Sequence, residues 1–241
     1  MPHVRRSAPF IGDAMLKGKI SASLMCSDLT DVRTGLKALE EGGVEFLHVD
    51  VMDGVFVPNI MLSESVVKQY RPLTEIPFDY HLMITEPEQK LSWFGFREGD
   101  MVSVHFESTP NICRAVRALR TLGVRTGLAL NPATPVTSAE YLLPYLDFLL
   151  IMTVDPGFAG QPLVETALEK IAFARRFLDE RGHENIMIEV DGNVSFENAA
   201  KMRRAGADIF VAGTSSVYAK GLTVTEGVDK LRKSIGGEGV F

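Results

Sequence analysis

From residue 19 onward, short apolar runs rich in Val, Ile, Leu and Phe recur at 19–25, 44–52, 77–84, 100–107, 124–131, 146–153, 185–191 and 207–213. Between them lie polar turns and stretches whose apolar positions return at helical spacing. The runs have strand length and the stretches have helix signals. DLTDVRTGLKALEEGG offers Asp28 or Thr30 as an N-cap and a glycine stop, and SFENAAKMRRAGA offers Ser195 as a cap and Gly206 as an end. Strands alternating with helices predict a parallel sheet, with strands apolar throughout because both faces are covered. Eight such units in this length predict an α/β fold of the (β/α)₈ barrel type, an eight-stranded parallel barrel, in one domain over 19–241. An open doubly wound sheet would carry a Gly-rich turn after its first strand, and here that turn is MCSDL. Residues 1–18, MPHVRRSAPFIGDAMLKG, have no sustained period and are expected to be an N-terminal extension, with His3 inert.

The second run, FLHVDVMDGVFVPN at 46–59, sets an imidazole and a carboxylate two residues apart among apolar residues. On a strand these share one face, so His48 and Asp50 point together into whatever that face encloses. A carboxylate there must be paired, protonated or metal-bound, because its isolated burial costs several kcal/mol or more. Ser23, His48, Asp50, His81 and Asp191 all fall at or near the ends of predicted strands, where a barrel places its chemistry. Taken alone, His81 is a rim histidine bonded to a carbonyl. Together, two histidines and two carboxylates favour a divalent cation and do not choose among Zn²⁺, Fe²⁺, Mn²⁺ and Co²⁺. Small residues dominate the turns after strands six, seven and eight: DPGFAGQP at 155–162, DGN at 191–193 and AGTSS at 212–216. Glycine lets a backbone approach phosphate closely, and barrels commonly bind phosphate after strands seven and eight.

Composition narrows the function classes. The 241 residues are 46% hydrophobic and 23% charged, the profile of a soluble globular protein. The net charge of −6 and the absence of a basic run argue against nucleic acid or an anionic membrane as partner. No apolar run is long enough to span a bilayer and no secretory signal is evident, so a cytoplasmic location is expected. Cys26 and Cys113, without CxxC spacing, are expected to be reduced thiols. No motif sets a histidine beside Cys26, which argues for packing over nucleophilic chemistry.

The segments ISASLMCSDL, HVDVMDGVFVPN, DYHLM, LALNPATP, MTVDPGFAGQP, EVDGN and VAGTSSVY, in this order from residue 20 to about 218, resemble the ribulose-phosphate 3-epimerases and their relatives the D-allulose-6-phosphate 3-epimerases. The resemblance implies a metal-dependent isomerase, with one divalent ion per subunit held by His48, Asp50, His81 and Asp191, and with Asp50 and Asp191 as the acid/base pair. It implies that Ser23 and His81 touch the substrate, a phosphorylated ketose. The phosphate would lie against Gly157, Phe158, Ala159 and Gly160, Gly192 and Asn193, and Gly213 and Thr214. Met52, Met83 and Met152 match methionines that line the reacting carbon, although the residues alone read as core filler. His105 matches a pocket-wall position and is not expected as a ligand, and Glu107 is expected to face solvent or support a loop. The resemblance also implies a homo-oligomer.

The chain departs from most ribulose-phosphate epimerases at four positions: Ala22 for proline, Asp155 for asparagine, and Ala159 and Asn193 for glycine. The combination SLMC, MTVDPGFAGQP and GTS resembles the allulose-phosphate branch, which leaves the five- or six-carbon sugar open. D-Ribulose 5-phosphate, converted to D-xylulose 5-phosphate, is placed first. D-Allulose 6-phosphate, converted to D-fructose 6-phosphate, is the alternative. A lyase of a related barrel would need a lysine at a strand end, and none of the predicted ends supplies one. A sugar-phosphate binding protein without catalysis would not need the histidines and aspartates together.

Overall fold

The computed structural model of the protein describes residues 18–236, so the expected extension apart from Gly18, His3 within it, and the last five residues lie outside the described residues. Eight strands appear where the apolar runs predict them: β1 (Lys19–Ser23), β2 (Phe46–Asp53), β3 (Phe78–Met83), β4 (Met101–His105), β5 (Arg125–Leu130), β6 (Phe148–Met152), β7 (Met187–Asp191) and β8 (Ile209–Ala212). Each pairs in parallel with the next, and β1 pairs with both β8 and β2, which closes a (β/α)₈ barrel. The register sets Ser23 opposite His48, Asp50 opposite His81, and Met152 opposite Asp191. These strand ends therefore meet at one rim.

The two faces of the strands differ. Leu47, Val49 and Val51 of β2, Leu149 and Ile151 of β6, and Ile188 and Val190 of β7 belong to the large core under the helices. Phe46, Met101, Ala129, Phe148, Leu150, Met152 and Ile209 form a second buried cluster, inside the barrel. Strand alternation separates the two sets. Ser21, His48, Asp79, Ser103 and Glu189 share the inner face and are fully buried. The expectation of wholly apolar strands thus holds outside and fails inside, because the interior carries the polar support of the rim. Gly127 makes room for the Phe148 ring, since a Cβ there would lie 2.2 Å from its Cζ.

Among the described residues six α-helices follow in order: α1 (Val32–Gly42), α2 (Glu64–Tyr70), α3 (Ile112–Thr121), α4 (Ala167–Asp179), α5 (Phe196–Ala205) and α6 (Val224–Gly236). Two connections lack the α-helix that a regular eight-fold repeat predicts. Between β3 and β4 run the 3₁₀ turns Pro87–Gln89 and Leu91–Trp93, and between β5 and β6 the 3₁₀ segment Val136–Tyr145 contains Pro144. Proline removes a donor that an α-helical ladder requires. A two-residue strand, Ile60–Met61, pairs antiparallel with the end of β2.

The caps are partly as expected. Ser195 Oγ accepts from the Asn198 amide at 3.2 Å and Gly206 ends α5 with φ of 113°. The N-cap of α1, however, is Asp31, which accepts from the Thr34 amide at 3.3 Å, while Asp28 holds the preceding turn through the Thr30 amide at 2.9 Å. Cys26 and Cys113 are free thiols. Among the described residues, no helix is long and apolar enough to cross a membrane.

Candidate active site

His48 and Asp50 leave β2 on its inner face, His81 comes from β3 and Asp191 ends β7. One donor atom from each, His48 Nε2, Asp50 Oδ1, His81 Nδ1 and Asp191 Oδ2, lies within 4.8 Å of the others. His48 Nε2 is 3.4 Å from Asp50 Oδ1 and 3.8 Å from Asp191 Oδ2, and His81 Nδ1 is 3.5 Å from each carboxylate oxygen. Both nitrogens are buried without a hydrogen-bond partner. Four donors bound tetrahedrally at about 2.1 Å would stand about 3.4 Å apart, so these separations and orphaned nitrogens fit a small divalent cation.

The surroundings favour ionised carboxylates and fixed rings. Burial alone would raise the Asp50 pKa, but the imidazoles of His48 and His81 outweigh it and hold the carboxyl far below its ordinary range. Burial likewise opposes a charge on His48, and the carboxylates of Asp50 and Asp79 outweigh it, holding its pKa well above the ordinary value. Ser23 donates to Asp50 Oδ2 at 2.8 Å, which leaves Oδ1 to face the histidines. On the far side of the rings, His48 Nδ1 lies 2.7 Å from Asp79 Oδ2, and His81 Nε2 lies 2.7 Å from His105 Nε2. Ser21 donates to Asp79 at 2.7 Å. Glu189 sits in the same interior, where burial and the Asp79 carboxylate push its pKa well above the usual range.

Above the cluster opens a cleft bordered by Ser23, Asp50, Met52, Met83, Met152 and Asp191, and farther out by Gly157, Phe158, Ala159, Gly160, Gly192, Asn193, Gly213 and Thr214. Every residue expected at the site therefore borders this cleft except His48 and His81, which lie fully buried beneath it. Among the described residues, the cleft lining contains no lysine or arginine, so an anion there would be met by backbone amides of the small-residue turns. The turns are tied together. Gly157 and Gly192 have φ of 112° and 115°, and a Cβ on Gly192 would strike the Val154 amide nitrogen at 2.8 Å. Asn193, also left-handed at φ 46°, donates through Nδ2 to the Gln161 carbonyl at 2.6 Å.

The sequence model described as the ribulose-phosphate 3 epimerase family matches residues 19–218. The chain belongs to the ribulose-phosphate 3-epimerase family. That membership places it among the carbohydrate isomerases. It is 42% identical over 200 residues to the ribulose-phosphate 3-epimerase of Bacillus subtilis, covering 83% of this chain and 92% of that one. It is 44% identical over 203 residues to the chloroplastic ribulose-5-phosphate-3-epimerase of Arabidopsis thaliana, covering 83% of this chain and 72% of that one. Among solved structures, 3-hexulose-6-phosphate synthase from Salmonella typhimurium superposes with a TM-score of 0.63 at 13% identity, covering 92% of this chain and all of that one, a likeness of fold alone.

In this member of the epimerase family, sequence reasoning missed the layer beneath the rim. Asp79 precedes His81 by two residues and Glu189 precedes Asp191 by two, the same spacing that singled out His48 and Asp50. Strand alternation applied to DYH and EVD would have found both. His105 borders His81 directly, closer to the cluster than a pocket-wall role implies. Glu107 supports a loop as expected: its Oε1 accepts from the Asn131 amide at 3.0 Å and from the Thr134 hydroxyl. Cys26 borders the cleft, and burial together with the Asp50 charge raises its thiol pKa, which suits packing and not nucleophilic attack.

Proposed function

We propose that the protein is a metal-dependent 3-epimerase that inverts C3 of D-ribulose 5-phosphate to give D-xylulose 5-phosphate. The observation that carries this reading is the convergence of His48, Asp50, His81 and Asp191 on the floor of a cleft rimmed by small-residue turns. Inversion next to a ketone removes a proton from one face of the carbon and returns one to the other, through a planar enediolate. Asp50 and Asp191 come from β2 and β7, which β1 and β8 separate, and two carboxylates from different strands can flank that carbon. One acts as base and the other as acid, and the roles swap with the direction of reaction. His48, Asp50, His81 and Asp191 would hold a divalent cation, which when bound would supply positive charge worth several kcal/mol to the developing negative charge. Ser23 holds Asp50 in place through its 2.8 Å hydrogen bond. Met52, Met83 and Met152 form a polarizable apolar wall that keeps water from the carbon. The turns at Gly157–Gly160, Gly192 and Gly213 take the phosphate on backbone amides.

The names of the curated relatives favour the five-carbon sugar. Asp155 and Ala159, in the segment MTVDPGFAGQP where the chain resembles the allulose-phosphate branch, both border the cleft. D-Allulose 6-phosphate is therefore the second substrate to test. Proton NMR of the metal-loaded protein with each sugar in heavy water is expected to show loss of the C3 proton signal together with the epimer, faster for D-ribulose 5-phosphate. Asp191→Asn is expected to slow this exchange by about 10²-fold or more. If neither sugar exchanges its C3 proton while the metal is bound at full occupancy, the epimerase reading fails.

A further inference from the structure

The two nitrogens of His81 face different partners. Nδ1 is buried, has no hydrogen-bond partner and lies 3.5 Å from both Asp50 Oδ1 and Asp191 Oδ2. Nε2 lies 2.7 Å from Nε2 of His105. The ring centroids are 4.9 Å apart, so the rings meet by their edges. Two ring nitrogens at that separation share one proton, and one must donate while the other accepts. A neutral His81 that donates through Nε2 keeps its lone pair on Nδ1, free to bind a cation. A neutral His81 that accepts carries its proton on Nδ1 and blocks the site.

The choice between these arrangements is set farther out. His105 Nδ1 lies 3.4 Å from Glu107 Oε2, longer than a full hydrogen bond but close enough for the carboxylate to favour an N–H over a lone pair. Glu107 is itself held, since its other oxygen accepts from the Asn131 amide at 3.0 Å and from the Thr134 hydroxyl. Phe56 covers the His105 ring at a centroid distance of 4.6 Å, which keeps the ring from turning out toward solvent. With its proton on Nδ1, a neutral His105 has only a lone pair on Nε2 and can only accept from His81.

We propose that Glu107 and His105 are positioning residues that act in series to fix the proton of His81 on Nε2 and so present Nδ1 to the metal as a lone pair. The two metal histidines are then held in different ways. His48 is backed by the carboxylate of Asp79, whereas His81 is backed by a neutral ring whose own orientation a carboxylate sets. Partners of this kind commonly change metal affinity by 10- to 100-fold.

The inference rests on the four-residue cluster being a metal site, and its test separates the two ideas. Co²⁺ is titrated into the wild-type protein, His105→Phe and Glu107→Gln, with binding followed by visible absorption and without substrate. The wild type is expected to bind one equivalent, His105→Phe to bind about 10- to 100-fold more weakly, and Glu107→Gln to show a smaller loss in the same direction. In the Zn²⁺-loaded wild type, long-range ¹H–¹⁵N NMR is expected to show His105 neutral with its proton on Nδ1. In Glu107→Gln that preference is expected to relax, a change that loosened packing alone would not produce. Should His105→Phe not fold, Glu107→Gln and the wild-type tautomer decide the matter. A His105 proton on Nε2, or wild-type Co²⁺ affinity in the variants, overturns the relay and leaves the metal site standing. Absence of Co²⁺ binding to the wild type overturns both.

Discussion

Asp79 Oδ2 lies 2.7 Å from Nδ1 of His48, and neither side chain has any exposed surface. The carboxylate accepts the Nδ1 proton, which turns the lone pair of Nε2 toward Asp50 and Asp191, and Ser21 holds the carboxylate with a 2.7 Å bond of its own. A carboxylate behind a metal histidine fixes its tautomer and raises its basicity. Asp79→Asn keeps an acceptor but removes the charge. We expect it to weaken Zn²⁺ binding by about 10- to 100-fold, measured by competition with a chromophoric chelator, with Ser21→Ala weakening it less. Unchanged affinity in Asp79→Asn would show that Asp79 only fills the barrel.

Asn193 offers a test of the outer end of the cleft. Its backbone is left-handed, its Nδ2 reaches the Gln161 carbonyl at 2.6 Å, and its Oδ1 accepts from Asn198 Nδ2 at 3.0 Å. Asn193→Gly keeps the backbone conformation and loses the bridge between the two turns. A hydrogen bond of about 1 kcal/mol corresponds to roughly a fivefold effect, so KM for the sugar phosphate should rise by about that factor with kcat nearly unchanged. Asn193→Ala should lose the same affinity and also about 1 kcal/mol of folding stability, because alanine resists a positive φ. A fall in kcat without a change in KM would place Asn193 with the reacting carbon instead.

The barrel was legible because its outer strand positions are apolar with little interruption and its turns are marked by glycine and capping residues. The candidate metal cluster was legible because period-two spacing puts His48 and Asp50 on one face of β2. Asp79 and Glu189 carried the same signal but sit deeper in the barrel than the strand ends where ligands were expected. The His81–His105 contact depends on the relative height of neighbouring side chains in β3 and β4, which register sets and residue order alone does not. The α1 cap was misplaced because Asp28, Thr30 and Asp31 all suit the position, and only backbone geometry chooses among them. The 3₁₀ segment at Val136–Tyr145 carries Pro144 near its end, which removes one donor that an α-helical ladder would use there.

Asp53 joins the loop after β2 to the loop after β3. Its Oδ1 accepts from the Val55 and Phe56 amides, each at 2.9 Å, and its Oδ2 from the Thr85 amide at 2.9 Å, the Thr85 hydroxyl at 3.0 Å and Lys90 Nζ at 3.3 Å. Burial would raise its pKa, but these donors outweigh burial and hold the carboxyl well below the ordinary value. A group whose pKa falls on folding contributes stability that is full above its unfolded pKa, near 3.9, and is lost as pH falls toward the folded value. Asp53→Asn should therefore be less stable than wild type at pH 7, by about 2 kcal/mol for charge-assisted bonds. The gap should narrow at pH 3. Urea midpoints of both proteins at the two pH values measure it, and a gap that widens in acid would show that the Asp53 charge does not stabilise this junction.

At the start of β3, Arg71 is buried against Phe78, with its Cζ 3.6 Å from the ring centroid and Nη2 2.6 Å from Asp100 Oδ2. Asp100 also accepts from the Phe78 amide at 2.9 Å and the Arg97 amide at 2.8 Å, so one carboxylate joins α2, β3 and the turn before β4. Removing one partner of a buried pair leaves the other charge uncompensated, at a cost of about 3–5 kcal/mol. Asp100→Asn should lose about that much by urea denaturation. It should leave C3 proton exchange unchanged under conditions where it remains folded, because the residue lies at the opposite end of the strands from His48 and Asp191. Arg71→Met should cost less, since it removes the buried cation and keeps an apolar stem against Phe78, although Asp100 retains its two amide donors and loses its counter-charge. A larger cost for Arg71→Met than for Asp100→Asn would mean that the stacking of the guanidinium on Phe78, which only the first variant removes, and not the stranded charge, governs the stability of this corner.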